Sequence, residues 1–576
     1  MLPETQTREL VMRSLVFVLF VVTTMCSSDS YAGIDHVPTD AVPLITVDNL
    51  DYASLIEEDN TREQMGLPPR FAVPTLTSIT PATHGLWEKL PQDKMRWTYR
   101  VRCDNAITMN LGFGRYSMPQ SGSMTIMDSS GSFKIRPFTA EDNKDHGELW
   151  TPVIPSNEAM IEIVVDRADK KLVSRNIELT SINSGYRWLR DFGDRGSSES
   201  CNVDVLCDTG DAWWNEIPSV GVYTLNGFLT CSGAMINNTA EDQTPYFITA
   251  NHCGVTSSSD SSIVVYWNHQ NSYCREGSAS GNNGNGNYNQ FTSGSTMRAT
   301  RSYTDFTLTE LSSNPNSSWG VTFSGWSRNS STNGVGAGIH HPNAAEKRIS
   351  IPDYSSASGE FWNVNWNIGR TAPGSSGSPL YDSNHRIVGV LCCGLSYCTN
   401  DSNDYYGRSL NLSWSYLDDW LDPLGTGQQT LDTFNSTSAG SGACCIGSSS
   451  CIVLSQFNCD NGGGTYQGDD SVCEDGCLQN APGACCVGGG CVNINEEGCN
   501  TGGGDFQGAG TTCDSGVCDE PTCPTDLDGN GVTDVSDLLE IVGQWGSTGS
   551  TPADVDGDGV VGVGDLLAVI DGWGSC

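Results

Sequence analysis

The alternation of apolar and polar positions predicts strands through most of the informative stretches of this chain. In AMIEIVVD (159–166) the pattern is that of a half-buried strand. In YFITANHCG an apolar run ends in a short turn that carries His252 and Cys253, and in YTDFTLTEL the alternation puts Phe306 and Leu308 on one face, directly after Asp305. The period changes near the end, where Leu538, Val542 and Trp545, and again Leu566, Ile570 and Trp573, recur at helical spacing. The prediction is a mainly β chain with a small helical C-terminal part. At 576 residues it is too long for one core, so several domains are expected.

At the N-terminus, Arg8 and Arg13 precede the apolar run Leu15 to Val22, and Ser30-Tyr31-Ala32 forms a small-x-small cleavage site, so 1–32 is predicted to be an export signal. Cys26 would suit lipid attachment, but bulky Met25 before it argues against that. No other apolar run reaches the length of a membrane span. Export leads to an oxidising compartment, in which the 24 cysteines are expected to form disulfides. The net charge of −39 argues against nucleic acid and anionic membranes as partners. That charge is uneven, since residues 409–576 hold 25 Asp plus Glu and no Lys, Arg or His.

Candidate chemistry centres on GSSGSP at Gly374 to Pro379. A nucleophilic serine needs a tight turn that exposes its oxygen and aims backbone N–H groups at the developing oxyanion. Ser376 fits the nucleophile, and the amides of Gly374 and Ser376 fit the donors. An imidazole base and an orienting carboxylate are available upstream in His252 and Asp305. The order His, Asp, Ser, with gaps of 53 and 71 residues, is that of the chymotrypsin-like proteases.

From about Gly196 to Thr433 the segments SCNVDVLC, TANHCG, SIVVYWNHQNSYCR, YTDFTLTEL, IHHPNAAEKRIS, PGSSGSP and NDYYGR resemble a lysyl endopeptidase, a secreted trypsin-like serine protease. The resemblance implies two packed antiparallel β-barrels with the triad in the cleft between them, and bridges Cys201–Cys398, Cys207–Cys274 and Cys231–Cys253. It makes Asp404 in NDYYGR the pocket carboxylate that selects a basic side chain. Cys392 stands in place of the family's pocket histidine, which stacks on a tryptophan, and Trp362 is the nearest match to that tryptophan. Cys392 and Cys393 are left either to pair with each other or to stay free. Residues 33–195 resemble the family's pro-region, with an ordinary binding domain as the alternative. Ser375 replaces the Asp that captures the new N-terminus in many trypsin-like enzymes, so activation is expected not to use that ion pair. Only one lysine, Lys347, follows Gly196, against eight arginines, which favours cleavage after Lys in an enzyme exposed to its own copies. Such an enzyme would not itself cut after Arg195, so another protease or a first cut after Lys171 is expected.

Adjacent His340 and His341 make a poor metal pair, because neighbours on a strand face opposite ways. After a linker at 434–442, two six-cysteine units (443–478 and 484–519) repeat, each with fifteen possible pairings, and serve as spacers or binding modules. In the last segment, 523–576, Asp526, Asp528, Asn530, Val532, Asp534 and Asp537 occupy ligand positions of a Ca²⁺ loop, and Asp554, Asp556, Asp558, Val560 and Asp565 repeat the pattern. With one helix after each loop and none before, the segment resembles a type I dockerin, which implies bound Ca²⁺ and a cohesin-like or cell-surface scaffold as partner. Cys523 and Cys576 could clasp its ends. The resulting expectation is a secreted serine endopeptidase that cleaves after lysine, with arginine also open, needs no cofactor for catalysis, and carries a Ca²⁺-dependent docking tail. The rival is a surface or matrix binding protein on a non-catalytic protease scaffold.

Overall fold

Strands Val220–Leu225, Leu229–Met235, Tyr246–Thr249, Val264–Tyr266 and Phe306–Leu311 are joined by one long stretch, 291–301, that bends at Gly294. Its first half pairs with Val264–Tyr266 and its second half with Phe306–Leu311, so the sheet closes on itself as a barrel. A second barrel follows. Its ring runs Pro379–Tyr381, Ala337–His340, Arg348–Ser358, Phe361–Ile368, Asp404–Gly407 and Ile387–Gly394, and the last strand pairs back to the first. Closure leaves no free sheet edge within either ring, which is how antiparallel architectures avoid unpaired backbone. This computed structural model describes residues 39–187, 200–275, 284–332, 334, 336–434, parts of 441–513, and 524–575. The expected signal segment with Cys26, the junction at Arg195 and the Cys523–Cys576 clasp lie outside the described residues.

The two barrels pack through a shared apolar layer. Ala234, Ile248, Phe306 and Leu308 of the first meet Ile339, Ile349, Ile387 and Val390 of the second, all solvent-inaccessible. Disulfides Cys201–Cys398, Cys207–Cys274 and Cys231–Cys253 bind the amino-terminal segment and the loops to this frame. Asp204 adds a buried ion cluster, accepting from Arg275 and from Arg348 Nη1 at 2.8 Å. Buried charge of this kind is tolerated only when it is paired and hydrogen-bonded.

Residues 39–187 fold as two stacked sheets, antiparallel except where Leu44–Thr46 joins Lys94–Arg102 in parallel. One contains Lys94–Arg102, Ser123–Asp128 and Glu158–Asp166; the other Ala72–Ile79, Thr108–Tyr116 and Ile177–Gly185. The core between them continues into Val222, Val264, Tyr266 and Phe291 of the first barrel. Across the same boundary Val153 N donates to Tyr266 Oη at 3.0 Å and Asn110 Nδ2 to the Gly227 carbonyl at 2.8 Å.

The cysteine-rich repeats are three-stranded, built on Ser441–Ile446 and Gly483–Val487. Cys444–Cys459 with Cys451–Cys473, and Cys485–Cys499 with Cys491–Cys513, repeat one pairing scheme that sequence could not choose among fifteen. The final segment holds helices Val535–Gly543 and Val563–Asp571 around Ile541, Val561 and Val569.

His340 and His341 are core residues. His340 lies between Ser375 Oγ (2.8 Å) and Ser350 Oγ (3.0 Å), and His341 Nδ1 is 2.9 Å from the Ala345 carbonyl. Burial, helped by the Arg348 charge, lowers His340 from its ordinary 6.5 to about 3. Between those values the unfolded chain takes up a proton that the folded chain refuses, so the contribution of this residue is complete above pH 6.5 and is lost as pH falls toward 3. The unfolding free energy should therefore drop with acidification by up to about 1.4 kcal/mol per pH unit for this residue. Denaturant titrations across this range, with His340→Gln as comparison, should show a shallower acid slope in the variant.

Candidate active site

Strand Tyr246–Thr249 pairs with Phe306–Leu311 so that Thr249 faces Thr307. The residues just beyond Thr249 and just before Phe306 therefore meet at one end of the barrel. There the turn Asn251–Cys253, closed by Gly254 and stapled by Cys231–Cys253, presents His252, and Asp305 takes a left-handed conformation (φ 46°). Asp305 Oδ1 accepts from the His252 backbone N–H at 2.8 Å, while Oδ2 lies 2.8 Å from His252 Nδ1. The carboxylate thus fixes both the turn and the ring, leaving Nε2 toward the cleft. Asp305 is buried and His252 half-buried.

Ser376 lines the same cleft as His252, although the two side chains make no direct hydrogen bond here. Catalytic hydrogen bonds of this type commonly tighten only when substrate is bound. The nucleophile turn is tied to both barrels. Ser232 N donates to the Ser376 carbonyl at 2.8 Å, Ser232 Oγ to the Gly374 carbonyl at 2.8 Å, and Gly377 N to Leu391 O at 2.8 Å. Gly374 (φ +92°) and Gly377 (φ +82°) have conformations closed to most residues, and a Cβ on Gly377 would come within 2.2 Å of Thr249 Oγ1. Neither the Gly374 nor the Ser376 amide N–H has an acceptor among the described residues, so both remain available as donors. Ser375 fills the position of an ion-pairing Asp with a neutral link, accepting from Ala372 N at 3.2 Å and meeting buried His340.

Residues 195–407 match the family described as lysyl endopeptidase, C-terminal domain. The chain is also 28% identical over 387 residues to the lysyl endopeptidase of Pseudomonas aeruginosa, covering 62% of this chain and 80% of that protein. Among solved structures it resembles the Rv3671c protease from M. tuberculosis in its active form (12% identity, 37% of this chain and 83% of that one, TM-score 0.24) and the serine endoprotease from Yersinia pestis (14%, 37% and 65%, TM-score 0.25). The family match, the sequence relative and the cleft geometry support a serine protease-like hydrolase.

The cleft wall beyond Ser376 is made by Thr371 to Pro373 and by Leu391 to Tyr397. Asp404 lies directly behind it and is itself solvent-inaccessible. Its Oδ2 accepts from Trp366 Nε1 (2.7 Å), Thr371 Oγ1 (2.7 Å) and Ser396 Oγ (2.6 Å), whereas Oδ1 has only a long contact with Ser396 N at 3.3 Å. Gly394 is what lets the carboxylate approach the wall, for a Cβ there would sit 1.9 Å from Asp404 Oδ1. Cys392 and Cys393 both line the cleft and are free thiols. Trp362 requires correction. It is not on the cleft but in the second barrel's core, its Nε1 donating to Val388 O at 3.0 Å, and Arg408 covers its ring. Trp366, four residues along the same strand and on the same face, is the indole that reaches Asp404. Nothing local in the sequence separates the two, because strand register decides it.

The amino-terminal domain reaches this cleft as well. Helix Tyr52–Gln64 ends beside it, and Glu63, Gly66, Leu67 and Pro69 join its lining. Thr230 N donates to Pro69 O at 3.1 Å and Phe71 N to Phe228 O at 2.9 Å, an antiparallel pairing with the first barrel.

In the C-terminal segment the carboxylate oxygens of Asp526, Asp528 and Asp537 gather within 4.8 Å of one another, as do those of Asp554, Asp556 and Asp558. Glycines with positive φ, Gly531 and Gly559, turn each loop back on its carboxylates. An all-oxygen, strongly anionic set of this kind fits Ca²⁺. Asp534 is directed elsewhere, its side chain accepting from Ser536 N to cap the following helix, and buried Asp565 accepts from the amides of Asp556 and Gly562. Asn530 Oδ1 accepts from Val532 N, and Asp558 Oδ1 from Val560 N.

Ser375 gives a test of the turn's support. Ser375→Ala should destabilise the chain by about 1–3 kcal/mol by leaving the buried His340 nitrogen without its partner, measured by urea unfolding, and Ser375→Thr should recover part of the loss.

Proposed function

We propose that this chain is a secreted serine endopeptidase that hydrolyses peptide bonds after lysine, made as a latent precursor and carrying a Ca²⁺-dependent docking tail. The observation that carries the reading is the Asp305–His252 pair opposite Ser376 in a cleft backed by Asp404. Ser376 attacks the carbonyl carbon, His252 takes the hydroxyl proton and later delivers it to the leaving amine, and Asp305 holds the ring and its charge. The Gly374 and Ser376 amides receive the oxyanion, each worth about 3 kcal/mol in comparable sites.

Selection for lysine rests on Asp404. Three donors saturate Oδ2, so the negative charge left on Oδ1 faces the wall at Gly394, where the end of a long cationic side chain would arrive. Lys347 supports the choice from the opposite direction. The single lysine after Gly196 is wholly buried, with Nζ donating to Ile217 O at 2.7 Å, and so is out of reach of another copy.

Latency rests on the segment Gly66 to Pro69. Leu67 lines the cleft with an apolar side chain that offers Asp404 no cation, and the next residue, buried Pro68, has no backbone N–H to donate. The segment runs along the cleft without presenting a lysyl bond. The tail repeats itself on its surface, with Val535, Leu539, Val542 and Trp545 exposed on the first helix side and Val563, Leu567, Ile570 and Trp573 on the second, each pair 28 positions apart. Duplicated exposed apolar faces beside Ca²⁺ loops support docking onto a scaffold.

Digestion of a mixed protein sample followed by mass mapping should place cleavages after Lys, and Ser376→Ala should lose roughly four to six orders of magnitude in turnover. Asp404→Asn should cost Lys substrates at least about 3 kcal/mol in transition-state binding while sparing apolar ones; equal losses would make Asp404 structural only. In the full chain a fluorophosphonate should label Ser376 slowly until 39–187 is cleaved away, and labelling equally fast in the uncleaved chain would remove the latency reading. For the tail, isothermal titration of the full chain should show two Ca²⁺ sites, with peptide cleavage surviving chelation.

A further inference from the structure

Cys392 and Cys393 stand apart from the other cysteines of the barrels, which are paired in disulfides. Neighbours on a regular strand point to opposite faces, yet both of these line the cleft with His252 and Ser376. The cause is a slip in strand pairing. Leu391 faces Tyr406 and Cys393 faces Tyr405, so Cys392 is the extra residue of a bulge, which re-aims its side chain. The two thiols stand next to each other on this wall, within reach of the Asp305 charge. The neighbouring Cys393 thiol, burial and the Asp305 carboxylate all push the Cys392 thiol well above the usual range. Cys392 in turn pulls Cys393 down, against burial and the charges of Asp305 and Asp404. Cys393 is the exposed member and Cys392 the half-buried one. An accessible, more acidic thiol beside a sheltered partner is the arrangement that supports attack followed by resolution.

We propose that Cys392 and Cys393 form a thiol–disulfide exchange site on the cleft wall, which takes small-molecule disulfides and closes to a ring disulfide between the two residues. The Cys393 thiolate attacks one sulfur of RS–SR; that S–S bond breaks and the first RS⁻ leaves, taking up a proton. Cys392 then gives up its proton and attacks the Cys393 sulfur of the mixed disulfide, expelling the second RS⁻, which is protonated in turn. Two protein thiols become one disulfide, and RSSR is reduced to two RSH. Ring closure joins the two side chains and tightens the wall next to Gly394. The exchange chemistry itself does not depend on what the cleft hydrolyses.

The test equilibrates the full chain in mixtures of reduced and oxidised glutathione, quenches with acid, alkylates, and maps peptides by mass. As oxidised glutathione rises, the peptide containing both residues should pass from two alkyl groups to none, while Cys201–Cys398, Cys207–Cys274 and Cys231–Cys253 stay intact and buried Cys103 stays alkylatable only after unfolding. Phenylarsine oxide should bind the reduced chain at this peptide and not the oxidised one. Cys392→Ser should stop at a glutathione adduct on Cys393. A peptide that keeps two thiols throughout, or that ends as glutathione adducts in the unaltered chain, overturns the proposal. In samples whose amino-terminal domain has been cleaved, ring closure should slow fluorophosphonate labelling of Ser376 several-fold, because the rigid ring stands on the wall the reagent must pass. Equal rates would overturn the link to the cleft, and labelling in neither state would count against the protease reading while leaving the exchange result in place.

Discussion

The carboxylate of Asp305 is the constraint on which the cleft depends. One oxygen holds the backbone of the His252 turn and the other holds the ring, so position and orientation come from a single buried group. That group is in place because adjacent antiparallel strands put the end of one and the start of the other side by side, with Thr249 opposite Thr307. The cost is a left-handed residue at Asp305, a conformation that Asp tolerates better than most. The nucleophile turn is then added from the second barrel, and its two links to Ser232 and one to Leu391 make Ser376 sensitive to how the barrels sit on each other.

The amino-terminal domain is not an appendage on a linker. Its apolar core runs without a break into the first barrel, and Arg70 bridges antiparallel to Leu229 at the start of strand Leu229–Met235. Burial of this kind stabilises the barrel while the two stay together and leaves an apolar face when they part. The same domain that shares this core also lines the cleft, through Glu63, Gly66, Leu67 and Pro69.

The cleft wall beyond Ser376 is built in two layers. The surface that a side chain would touch is Thr371, Gly394 and Ser396, and none of them is charged. The charge stands behind, on Asp404, oriented by donors from three different strands or loops. Hydrogen bonds to one oxygen fix the orientation of the buried carboxylate and leave Oδ1 beside Gly394 on the cleft wall.

Residues whose roles depend on local chain geometry were legible in the sequence. The turn glycines around Ser376, the apolar runs flanking His252 and Asp305 and the acidic loops near the C-terminus each announce themselves within about a dozen positions. Roles that depend on strand register were not. Trp362 and Trp366 share a strand and a face, and only the pairing of that strand with Asp404–Gly407 decides which indole meets the carboxylate. The bulge that turns both Cys392 and Cys393 into the cleft, the bond between His340 and Ser375, and the docking of Leu67 more than 300 residues before Ser376 are likewise invisible in one dimension. A sequence specifies which side chains a turn or a strand can expose, because that follows from periods of a few residues; which of them become neighbours is decided when the barrels close, because closure sets the register of strands far apart in the chain.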